Sequence, residues 1–194
     1  MNGTVIKYGL IGLAVVAYFG YTSLKGAGPQ SADLGSVLDR TDYALTNYQT
    51  SNAEGDVDEA EMDMFTSYLT AVMNAPETFY DKPIGVSLGA DAMFTGFEDP
   101  NTNNIQDSGE DNIFTVEVDI DNERLIATDV SGNAVHHRYS GSGIVTGLLI
   151  GRLLGRQRAA GIRSGAFNNR KTTARSSSSA ARSRSRSGGS RSGK

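Results

Sequence analysis

A chain of 194 residues has room for one domain of ordinary size with appendages, and 38% apolar residues is low enough that part of it is expected to stay unfolded. There is no cysteine, which excludes disulfides, thiolate metal sites and a cysteine nucleophile. The net charge of −4 conceals a division: residues 33–129 hold all 22 acidic side chains with only Arg40, Lys82 and Arg124, a net −19, whereas residues 130–194 hold 13 basic side chains and no acid. The first part should attract cations and avoid polyanions, and the second should seek anions.

Residues 1–25 open the chain with 17 uncharged residues, Tyr8–Leu24, between Lys7 and Lys25. At about 1.5 Å per residue such a helix just spans a hydrocarbon core of roughly 30 Å. Tyr8, Tyr18 and Tyr21 lie towards its ends, where aromatic rings favour the headgroup level. The segment is expected to be a retained anchor in a lipid bilayer. A cleaved signal peptide is the rival reading, but a cut after Gly26-Ala27-Gly28 would place Pro29 next to the scissile bond. Residues 26–30 form a Gly/Pro hinge.

An acidic α+β domain is expected over 31–139. Leu34, Val37, Leu38, Leu45 and Tyr48 recur at helical spacing. So do Val57, Ala60, Met64, Phe65, Tyr68, Leu69 and Val72, until Pro76 stops them. Asp56, Asp58, Glu59 and Glu61 crowd the start of this second helix, where carboxylates suit the helix dipole. From Pro83 the period changes to two, over Ile84–Leu88, Met93–Phe97, Ile113–Ile120, Arg124–Thr128 and Ala134–Tyr139. Turn formers at Asp121-Asn122 and Ser131-Gly132-Asn133 separate the later strands. The pattern is two helices packed on an antiparallel β-meander.

Between the second and third strands lies DPNTNNIQDSGE, Asp99 to Glu110. Asp99, Asn101, Asn103, Asp107 and Glu110 occupy positions 1, 3, 5, 9 and 12, and Ile105 at position 7 offers its backbone carbonyl. Hard oxygens at this spacing can converge on a hard ion such as Ca²⁺, with a bidentate Glu closing the shell. Asn104 stands where a calcium loop normally needs glycine, and Asn is the next most tolerant residue of a left-handed backbone. A strand follows instead of a helix. The stretch therefore resembles the calcium loops of bacterial surface β-modules, in particular the start of the B-type repeats of serine-aspartate adhesins, over Asp99–Thr128. The resemblance implies Ca²⁺ as a ligand of this loop. Its composition also suits a polar hairpin connection.

His136 and His137 are adjacent on a strand and point to opposite sides, so they do not share a metal. No nucleophile elbow, phosphate loop or zinc spacing is present, so neither an enzyme nor a small-molecule substrate is expected.

Residues 140–160 contain GSGIVTGLLIGRLLG, in which Gly143, Gly147, Gly151 and Gly155 fall four apart. On a helix they line one face and leave a groove that lets a second helix backbone approach, opposite a Leu/Ile ridge. The partner is either the N-terminal segment, with Gly9, Gly12 and Gly20, or a second copy of the chain. Only 11 residues, Gly141–Gly151, lack charge, so a re-entrant or interfacial helix is an alternative to a crossing. A soluble helix packed on the sheet is another.

Residues 161–194 read as a basic, Ser/Arg-rich disordered tail. Arg182, Arg184, Arg186 and Arg191 suit the phosphates of anionic lipid or nucleic acid, without interleaved aromatics for base stacking. The whole reads as a bacterial inner-membrane or envelope protein with an extracytoplasmic acidic domain and a structural or adaptor role. The alternative is a polyanion-binding protein that works through its tail.

Overall fold

A computed structural model describes residues 32–51, 58–139 and 147–175. The expected anchor and hinge, Gly143, and Arg182, Arg184, Arg186 and Arg191 lie outside the described residues. Two helices, α1 (Leu34–Ser51) and α2 (Glu59–Met73), precede five strands: β1 (Ile84–Leu88), β2 (Phe94–Glu98), β3 (Asn112–Asp119), β4 (Arg124–Asp129) and β5 (Ala134–Arg138). A third helix, α3 (Leu148–Ala159), and a short strand, β6 (Thr173–Ala174), follow. Sheet order is β1-β2-β3-β4-β5-β6, antiparallel through β5 and parallel between β5 and β6. This is an α+β fold, with α1 over β4 and β5 and α2 over β1.

The helices form because their apolar residues share one face. Asp33 accepts hydrogen bonds from the Gly35 N–H and the Ser36 hydroxyl at the start of α1. Leu34, Val37, Leu38, Leu45 and Tyr48 are all buried. Asp58 caps α2 by accepting from Glu61 N–H at 2.9 Å. The face of α2 differs from the sequence reading in one detail. Met62 is fully buried while Met64 is 37% exposed, because Phe65, Leu69 and Val72 fix a stripe on which 62 falls and 64 does not. Ala60 is likewise exposed.

Strand alternation places Val86, Phe94, Phe114, Val116, Val118 and Leu125 in the core with the helices. The Tyr48 and Phe65 rings meet edge to face at 5.2 Å, and Phe65 meets Phe94 at 5.7 Å. A bulge between Gly96 and Phe97 interrupts the β2–β3 ladder. Phe114 lies across Gly96 so closely that a Cβ there would stand 2.3 Å from its Cζ.

The structure differs from the sequence reading after residue 147. Gly147 is the extended N-cap of α3 and lies outside the helix. Leu149, Ile150 and Leu153 are buried in the domain core, so the Leu/Ile ridge is a third helical contribution to this domain. Gly151 and Gly155 are exposed, with no atom within 4 Å of a Cβ built on either. The described glycines thus form the uncovered face of α3. Buried Gln157 donates to the Val118 carbonyl at 2.9 Å. Gly161, at φ +83°, ends the helix: its N–H bonds Arg158 O and the Ile162 N–H bonds Gln157 O, a Schellman arrangement.

Residues 161–175, read from sequence as part of the tail, form an arm laid against the sheet. The Asp121 carboxylate accepts the Gly165 N–H at 2.6 Å. The Arg124 guanidinium donates to Phe167 O at 2.8 Å, and Asn122 Nδ2 donates to Asn168 Oδ1 at 2.9 Å. Arg170 pairs with Glu117 and Arg175 with Asp39, and the Arg175 N–H joins the His136 carbonyl. The charge division of the sequence is thus spent partly inside the fold.

Candidate functional site

The 99–110 loop connects β2 to β3. Asp99, only 1% exposed, is its anchor: its N–H donates to Pro83 O, and its carboxylate accepts from the N–H groups of Asn103 and Asn104 at 3.1 and 2.9 Å. Those contacts curl the chain around one carboxylate. Asn104 takes φ 60°, the left-handed backbone that the sixth position of a calcium loop requires. Thr102 is left-handed as well, at φ 54°.

Asn101, Asn103 and Asp107 converge. Both amide Nδ2 groups donate to the same Asp107 oxygen, each at 2.9 Å. Their Oδ1 atoms accept the N–H groups of Asn103 and Ile105. Glu110 turns back on the loop and accepts the Asp107 N–H at 2.8 Å. Gln106 Nε2 ties the loop base to Glu110 O and Asn112 Oδ1. Ile105 is 64% exposed, with its side chain in solvent.

The residues picked from sequence are therefore together, but as a turn closed by its own hydrogen bonds. Among the described residues no three of His, Asp and Glu gather as a metal group. For the loop to take a cation, the Asn101 and Asn103 amides would have to rotate and present oxygen where they now present N–H. Such a rotation would give up the two amide bonds to Asp107 and the two backbone hydrogen bonds in exchange for two metal bonds.

The acidic start of α2 is divided among other tasks. Asp58 caps the helix, Glu61 accepts the Tyr48 hydroxyl at 2.6 Å, and Glu59 pairs with Arg152 and Arg156 of α3. His136 Nδ1 lies 2.9 Å from Thr172 Oγ1 of the arm. Burial pushes its pKa down, and the Arg124, Arg138 and His137 charges add to that. No sequence pattern announced the arm. Its grip depends on Asp121, Arg124 and Glu117, over forty residues away in the chain.

Among the described residues no helix is long and apolar enough to cross a membrane. Comparison with family models, with curated proteins and with solved structures finds no match.

Proposed function

We propose that the chain is a membrane-tethered structural or adaptor protein of a bacterial cell envelope, not an enzyme, with the acidic domain held outside the cytoplasm. The observation that supports this is the uncharged run Tyr8–Leu24, which ends ten residues before the first helix of the folded domain. A domain tied that closely to a bilayer works at its surface. The folded domain with α3 and the arm, residues 32–175, carries 22 acidic against 11 basic side chains, and this net −11 keeps it off anionic headgroups and favours cations or basic partners. Ca²⁺ in the 99–110 loop belongs to this proposal, on the left-handed Asn104 and the convergence of Asn101, Asn103 and Asp107. Membrane fractionation with carbonate extraction, followed by protease protection of each terminus, tests it. A full-length product released by carbonate, or a soluble product starting near Pro29, would end the tethered reading.

The five basic residues from Arg182 to Lys194, with no acid among them, favour a second reading in which the tail binds polyanions. Retention of the full-length protein on nucleic acid, lost steeply as salt is raised, would support it. Retention on anionic vesicles alone would place the tail on lipid.

A further inference from the structure

A cavity of about 620 Å³ lies between the end of α3, the β3–β4 turn and the arm. Ile120, Leu154, Ile162 and Phe167 supply its apolar walls, and all four are half-buried. The cavity is within the size range of small-molecule sites, roughly 300–1,000 Å³. Two arginines, Arg158 and Arg163, stand on its lining.

Of the eight described basic side chains after residue 130, four are ion-paired, and of the other four, Arg138, Arg158, Arg163 and Lys171, two line this cavity. Arg152 and Arg156 pair with Glu59, Arg170 with Glu117 and Arg175 with Asp39. Arg158 and Arg163 have no carboxylate within ion-pair distance among the described residues. The one acid on the lining, Asp121, has its carboxylate on the Gly165 N–H. At the end of α3 the Gly161 and Ile162 N–H groups bond the carbonyls of Arg158 and Gln157.

We propose that this cavity binds a small amphipathic organic carboxylate, with an aryl or short acyl body against Ile120, Leu154, Ile162 and Phe167 and its carboxylate held by Arg158 and Arg163. A planar guanidinium recognises a carboxylate through paired N–H donors, so the arginines would take the charged end of such a ligand and the apolar walls its body. The polar basic tail of the same chain is excluded by charge and by lack of apolar side chains, since residues 176–194 contain no acid and no aromatic. A neutral or cationic ligand of the same body leaves both arginines unpaired.

The test uses the full-length protein in neutral maltoside micelles, with binding read by saturation-transfer NMR against empty micelles. The probes are 4-phenylbutyrate, 4-phenylbutanol and 4-phenylbutylammonium. Phenylbutyrate should bind saturably and more tightly than the other two. The exposed pair Arg158→Gln/Arg163→Gln should weaken it about tenfold or more, as loss of charge-assisted hydrogen bonds does. Leu154→Trp, which fills the cavity, should abolish binding, while Arg138→Gln, away from the lining, should leave it unchanged. Equal affinity in the double arginine variant, equal response to all three probes, or no saturable signal for phenylbutyrate up to about 10 mM would each overturn the proposal.

Discussion

Arg40 Nη1 lies 2.7 Å from the carbonyl oxygen of Val72, so a side chain of α1 closes the C-terminus of α2. The same guanidinium also reaches the carbonyls of Met73, Ala75, Pro76 and Glu77, and it sits 5.0 Å from the centre of the Phe79 ring. A helix end leaves carbonyls without partners, and here one buried cation supplies donors to the chain as it leaves the helix. Burial pulls the guanidinium pKa down to about 10, with Glu77 opposing, and the group stays charged at neutral pH.

Arg40→Met should therefore be severe. It strands buried carbonyls as well as removing a cation, and such losses cost about 3 kcal/mol or more. Arg40→Lys should recover only part of this, because an ammonium has three donors and no planar fork. Denaturant midpoints of the full-length variants measure both. A midpoint for Arg40→Met equal to that of the wild type would show the carbonyls to be satisfied by water.

Two kinds of glycine should respond with opposite signs. Gly151 and Gly155 lie within α3 with open space around a built Cβ, so alanine should stabilise the domain by about 0.5–1 kcal/mol at each. Gly96→Ala should destabilise by about 1–3 kcal/mol, since the Phe114 ring would have to leave its place in the core. Melting temperatures decide. A fall for Gly151→Ala and Gly155→Ala would mean that a partner backbone covers this face, as a glycine groove in a membrane requires.

The two helices and five meander strands were legible because period, breaker and turn agreed. Pro76 and Pro83 bound the change from helix to strand, and Asp121-Asn122 falls on the β3–β4 turn. The placement of α3 was not legible. Leu149, Ile150 and Leu153 make a ridge that suits a lipid or a protein core equally, and periodicity does not say which covers it. The arm was hidden because polar contacts to distant residues hold it, with few apolar side chains to mark it. In the candidate loop the residue types were readable, but not that Asn101 and Asn103 turn their amide donors on Asp107.

Acid should loosen the arm. Burial, then Arg124 and Arg138, hold the His136 pKa below its ordinary value of about 6.5. A base whose folded pKa is depressed takes up a proton more readily in the unfolded chain. Stability is therefore lost as pH falls through the unfolded value towards the lower folded one. Thermal melts between pH 7 and 5 should fall more steeply for the wild type than for His136→Gln, with the arm's hydrogen-exchange protection lost first. Parallel pH profiles for the two proteins would remove His136 from the account.

The loop offers the sharpest test of the proposed cation. Asn103 donates to Asp107 and anchors Ile105 N–H, so Asn103→Asp sets a carboxylate against a carboxylate. Without divalent ions that variant should melt below the wild type. With Ca²⁺ at several times its dissociation constant, of order 10⁻⁴–10⁻³ M for weak extracellular sites, the repulsion becomes a ligand set. Binding to the folded state alone then adds about 1–2 kcal/mol. Asn103→Asp should gain more than the wild type, and a further Glu110→Gln change should remove most of the gain by taking away the closing charge. Asp58→Asn serves as the control for Glu110→Gln, because asparagine still caps α2 and both changes remove one negative charge from the acidic surface. If Ca²⁺ raises Asn103→Asp no more than the wild type, or if adding Glu110→Gln removes no more of the gain than adding Asp58→Asn does, the ion only screens the acidic surface. The loop would then be a hairpin connection held by its own amides.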